Sequence, residues 1–92
     1  MTAEEKLEVL KCDLQLLTYA NDVLLKKLIS QAEEAIKTEG ITLIKNDISC
    51  DMAVISYAAY LFRKRASAET TMPRFLRYQL NNILFKQKGG AL

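Results

Sequence analysis

The sequence predicts an all-α fold, a compact four-helix domain built around a buried central third helix. Three observations predict it. First, the stretch Met52-Ala-Val-Ile-Ser-Tyr-Ala-Ala-Tyr-Leu-Phe62 is apolar or aromatic except for Ser56, and holds no charge, Gly or Pro. A helix apolar on nearly every face is normally buried, and a run of about 11 residues is too short for a bilayer, which needs roughly 20. Second, apolar residues elsewhere recur at three- and four-residue steps, the period of amphipathic helices. Third, Gly40 and Pro73 stand where such helices should end and begin. A chain of 92 residues makes one domain. At that size only about 60–65% of the unfolded surface is buried, so the stability margin is thin.

The elements follow in order. Thr2-Ala-Glu-Glu5 fits a capping box, in which the Thr2 hydroxyl and the Glu5 carboxylate satisfy early backbone N–H groups. Leu7, Leu10 and Leu14, with Leu17 beyond them, mark one apolar stripe and predict a first helix over 3–14. Asn21 is a candidate N-cap, and Asp22 suits a first helical turn. Leu25, Leu28, Ile29, Ala32 and Ile36 then repeat opposite Lys27, Gln31 and Glu34, predicting an amphipathic helix over 22–39. Gly40 ends it in a left-handed cap. Ile41-Thr-Leu-Ile44 is β-branched but has no strand to pair with, so it reads as a connector packed on the core.

Asn46, Asp47 and Ser49 compete to cap the third helix, which runs to about Ala66. Arg63-Lys64-Arg65 place cations at its negative dipole end. Ser67–Met72 reads as a loop, and Pro73 opens a fourth helix at its first position. Leu76, Leu80, Ile83 and Leu84 form its apolar face; Arg74, Arg77 and Asn81 form a polar and basic one, with Tyr78 at its edge. The domain is expected over 1–86, with 87–92 a flexible C-terminal tail.

The net charge of +2 is unevenly distributed. Residues 1–51 carry six lysines against ten acids, a net −4, while 52–92 carry seven Lys and Arg against Glu69 alone, a net +6. An acidic half and a basic half suit head-to-tail contact between copies, or the basic half could face a phosphate backbone. Scattered solvated charge is the plain alternative. Little else in the chain suggests chemistry. There is no histidine, and Gly40, Gly89 and Gly90 form no phosphate-binding loop. Asp47 and Asp51 read as helix-start devices rather than a catalytic pair. Cys12 and Cys50 are far apart, too few for a zinc site, and read as ordinary buried thiols. The expectation is a non-enzymatic protein with no metal or cofactor. No basic n-region with an apolar run marks a secretory signal.

Three stretches taken together resemble a known family. They are Asn21-Asp-Val-Leu-Leu-Lys-Lys-Leu-Ile-Ser-Gln-Ala-Glu-Glu-Ala-Ile36, Asp51-Met-Ala-Val-Ile-Ser-Tyr-Ala-Ala-Tyr-Leu-Phe-Arg-Lys-Arg65 and Met72-Pro-Arg-Phe-Leu-Arg-Tyr-Gln-Leu-Asn-Asn82. In order and spacing they are similar to the small helical head–tail connector (adaptor) proteins of long-tailed phages and prophages, often described as DNA-packaging proteins. The resemblance spans about residues 3–88 and contains no catalytic signature. It implies a structural subunit of the virion, assembled in the host cytoplasm as a ring of twelve copies under the portal. Its partners would be copies of itself, the portal protein and a tail-completion protein. DNA would pass through the channel without sequence-specific binding, and no membrane would be involved. By carry-over, Arg63, Arg65, Arg74 and Arg77 are expected contact residues, with Tyr78 and Asn81 beside them. Glu33, Glu34 and Asp47 are their expected acidic partners on a neighbour. The alternative from a different class is a small DNA-binding regulator that uses the basic 63–78 region. A helical interaction module with no phage role is a third reading.

Overall fold

The computed structural model describes residues 1–66 and 71–89, and these form four helices: α1 (Ala3–Leu14), α2 (Asp22–Thr38), α3 (Ile48–Ala66) and α4 (Arg74–Gly89). The fold is all-α, and α3 packs against each of the other three helices. Ion pairs fix the directions. Lys6 meets Asp51 at the starts of α1 and α3, and Asp13 meets Arg63 at their ends, so the two run parallel. Lys11 near the end of α1 meets Asp22 at the start of α2, which therefore runs back against them. α4 also opposes α3: Pro73 and Phe75 lie by Ser56, Tyr60 and Lys64, while Lys86 and Gln87 lie by Asp47 and Ser49.

The shape is flat. Its extents are 46 × 31 × 18 Å, and the short axis is about two helix diameters of 10 Å. The radius of gyration, 13.4 Å, exceeds the roughly 12 Å of a compact chain of this length.

Helix starts follow the local chemistry. The Thr2 hydroxyl accepts from the Glu5 N–H at 3.1 Å, and the Glu5 carboxylate accepts from the Thr2 N–H at 2.9 Å, completing the capping box. That bonding holds the Glu5 carboxyl below its usual pKa. Asp47 wins the competition to cap α3. Its Oδ1 accepts from the Ser49 N–H at 3.1 Å and its carbonyl from the Asp51 N–H at 2.9 Å, while Asn46 turns left-handed at φ 63°. Asn21 stands at the cap of α2, but its side chain makes no capping bond. Pro73, expected as the first residue of α4, is instead the residue before it, its carbonyl accepting from the Leu76 and Arg77 N–H groups at the cap. Gly40 follows α2 at φ +98°, a conformation that costs glycine little.

The core joins Leu7 and Leu10 of α1, the apolar stripe of α2, Ile41, and Leu76 and Leu80 of α4 around α3. In α3, Ala53, Val54, Ile55, Ala58 and Ala59 are buried, and the three alanines let neighbouring backbones approach closely. Ile41 is buried in an irregular connector, as expected.

Four other expectations need correction. Leu17 does not extend the α1 stripe: Gln15 turns left-handed at φ 59° and ends the helix, leaving Leu17 95% exposed. Only one of the cysteines is a buried thiol. Cys12 lies exposed on the outer side of α1, whereas Cys50 is buried with its thiol pushed up in pKa by that burial. Third, α4 runs through Gln87 to Gly89, because the Gln87 side chain grips the Thr42 backbone, accepting from its N–H at 2.9 Å and donating to its carbonyl at 2.7 Å. Last, α2 closes one residue early, at Thr38. Ser67–Thr70 of the expected loop and Gly90–Leu92 of the expected tail lie outside the described residues.

Candidate functional site

The surface that stands out lies along α4. Leu76, Leu80, Ile83 and Leu84 face the body of the domain, so a step of 100° per residue turns Phe75, Tyr78 and Phe85 the other way. These three side chains are 62%, 59% and 74% exposed. Single exposed apolar residues are common, but three large aromatic rings on one side of one helix make this the candidate contact surface. Arg74 and Lys86 flank the rings and are themselves exposed, and α4 contains no acid.

The nine residues singled out from the sequence separate into three groups. Arg74, Tyr78 and Asn81 share the outward side of α4. Arg63 and Arg65 lie exposed on the last turn of α3, near the start of α4; Arg63 Nη2 is 3.4 Å from Asp13 Oδ2.

The remaining four are engaged within the domain or on its far side. Arg77 turns toward the end of α2, where its two terminal nitrogens donate to the two Glu39 oxygens at 2.7 and 2.9 Å. Glu33 accepts from Lys6 at 3.0 Å, and Asp47 is the α3 cap. Glu34 is exposed on α2, 3.9 Å from Lys37. Glu33, Glu34 and Asp47 therefore do not form one acidic surface. Sequence reasoning missed Phe75 and Phe85. The signal was available, because an inward face built on Leu76, Leu80 and Ile83 leaves both rings on the opposite side.

The Arg77–Glu39 pair has a pH signature. The Arg77 hydrogen bonds hold the Glu39 carboxyl below its ordinary value of 4.5, and the paired carboxylate pushes the Arg77 guanidinium up. A carboxyl depressed in the folded state stabilises above its unfolded pKa, and that stability is lost as pH falls through the folded value. Both partners are partly exposed, so solvent reduces the coupling to about 1 kcal/mol despite the two-point geometry. A double-mutant cycle of Arg77→Ala and Glu39→Ala, followed by urea unfolding, should return that coupling at pH 7 and almost none in acid well below 4.5. A coupling independent of pH would show that the carboxylate charge is not what holds Arg77.

A second exposed apolar group follows α1. Leu17, Tyr19 and Val23 sit at the corner between α1 and α2, where the Lys11 ammonium lies 4.5 Å from the centre of the Tyr19 ring. Among the described residues no helix is long and apolar enough to cross a membrane. Comparisons with protein-family models, with curated proteins and with solved structures return no match for this chain.

Proposed function

We propose that this chain is a structural, non-enzymatic subunit of a phage head–tail connector, which assembles with copies of itself into a ring under the portal. In the virion it would join the DNA-filled head to the tail and offer a docking surface to a tail-completion protein. The observation that carries an assembly role is the exposed row Phe75, Tyr78 and Phe85 between Arg74 and Lys86. Aromatic residues and arginine are enriched at protein interfaces, where they supply most of the binding energy. The resemblance of residues 21–36, 51–65 and 72–82 to connector proteins supplies the phage context.

One observation favours the regulator reading. Arg63, Lys64, Arg65 and Arg74 are exposed around the junction of α3 and α4, where cations could meet a phosphate backbone. Native mass spectrometry with and without a short DNA duplex separates the two. The connector reading expects a ring-sized oligomer that ignores the duplex. A stable dimer holding one duplex, with affinity falling steeply as salt rises, would overturn it in favour of the regulator.

A further inference from the structure

We propose that the outer face of α4 on one copy docks against the outer face of α1 and the adjoining α1–α2 corner on the next copy. This rests on the self-assembling reading above and names the two surfaces that would meet. Four features of the fold lead to it.

The first is the charge on α1. Its two lysines turn inward, with side chains only 16% and 9% exposed, Lys6 to Glu33 and Asp51 and Lys11 to Asp22. Its four acids, Glu4, Glu5, Glu8 and Asp13, are all exposed; Glu4 lies 4.0 Å from Lys26 of α2 and Asp13 3.4 Å from Arg63 of α3. Internal pairing thus turns the positive charge of α1 itself inward and leaves Glu5 and Glu8 on its outer side facing solvent. On α4 the balance is reversed: Arg74 and Lys86 are exposed, and no acid is present.

The second feature is apolar. Phe75, Tyr78 and Phe85 line α4, while Leu17, Tyr19 and Val23 stand just past the end of α1. Each charged surface therefore carries an apolar group able to exclude water from a contact. The third is position. α1 and α4 both pack on α3, with little or no packing between them among the described residues, so the two surfaces are separate patches of one subunit. Joining unlike surfaces propagates from copy to copy, which is the geometry of a ring, whereas joining α4 to α4 would place cations against cations. The fourth is reach. α1 is about 18 Å long at 1.5 Å per residue, and Phe75 to Phe85 spans about 15 Å.

Charge exchange tests the pairing. One variant carries Glu4→Lys and Glu8→Lys; the other carries Arg74→Glu and Lys86→Glu. All four positions are exposed, so both variants should keep the helical circular dichroism of the parent. Glu4→Lys gives up a first-turn acid beside Lys26 and should lower the thermal midpoint by about a few degrees, while in the other variant the gain at Arg74 offsets the loss at Lys86. Each variant alone should associate about 100-fold more weakly than the parent, because like charges now face each other. Their equimolar mixture should recover association to within about tenfold, since each altered surface finds its complement in the other variant. Exposed Cys12 shares the outer side of α1 with Glu5 and Glu8, so its labelling by a maleimide should slow when the mixture assembles. Buried Cys50 reports unfolding in the same experiment.

A parent that assembles while both variants assemble equally well would overturn the α1–α4 contact and leave the connector reading standing. Failure of the mixture to recover would do the same. A parent that stays monomeric at about millimolar concentration, with Cys12 labelled at full rate, would overturn the contact between copies. The DNA-bound dimer described above would remove the connector reading itself.

Discussion

Leu80→Ala is expected to lower the unfolding free energy by about 2–5 kcal/mol, the cost of a large-to-small change in a packed core. Leu80 and Leu76 are the fully buried side chains of α4, and both are completely hidden from solvent. For a chain of this length total stability is on the order of 5–14 kcal/mol, so one truncation removes a large share of it. The loss should appear in urea as a lower midpoint with a similar slope. Hydrogen exchange should also reveal α4 opening before the rest, because its other inward residues, Ile83 and Leu84, are only partly buried. A loss below about 1 kcal/mol would mean that α4 is not anchored through Leu80.

Asp22→Ala should be the next most damaging change, at about 2–3 kcal/mol. Lys11 is almost fully buried, and its ammonium lies 3.0 Å from Asp22 Oδ1. The two are in ionic contact without hydrogen-bond alignment, and Oδ1 is buried with no hydrogen-bond partner among the described residues. Removing Asp22 leaves the ammonium supported by the face of Tyr19 alone, a weaker partner than a carboxylate. Adding Lys11→Met removes the stranded charge while keeping the long stem that packs in the core. The double variant Lys11→Met/Asp22→Ala should therefore be more stable than Asp22→Ala by urea unfolding, since apolar replacement of a buried pair is often neutral. A double variant no better than the single one would show that helix packing, not the buried charge, sets the cost.

Much of the fold was legible because its signals are local. The capping box at Thr2 and Glu5, the stripe from Leu25 to Ile36, Gly40 and Pro73 each act through neighbours within one or two helical turns. The apolar run of α3 needed no partner to be recognised, since a helix apolar on nearly all sides has to be buried. What was not legible depends on residues far apart in the chain. Arg77 has the same sequence signature as Arg74, yet only Arg77 meets Glu39 across 38 positions. Gln87 looked like part of a polar tail because its partner, the Thr42 backbone, is 45 positions away. Leu17 looked buried because a stripe gives no warning of the left-handed Gln15 that ends it. Cys12 looked buried by residue type alone, although its helical phase sets it opposite Leu7, Leu10 and Leu14. On the candidate surface, Arg74, Tyr78 and Asn81 could be placed from helical phase. The inward turn of Lys6 and Lys11 could not, because it depends on Glu33, Asp51 and Asp22 reaching them in three dimensions.

The 18 Å short axis has a mechanical consequence. In so thin a body, α3 is the common support for the other three helices. A push on α1 and an opposing pull on α4 would be transmitted through α3. Its buried residues Ala53, Ala58 and Ala59 add little side-chain bulk where neighbouring helices pack against it. Close-packed interiors have low compressibility, so such a wall passes strain on rather than absorbing it. The third helix is thus a strut as well as a core, and a load borne at one face would reach the other with little loss.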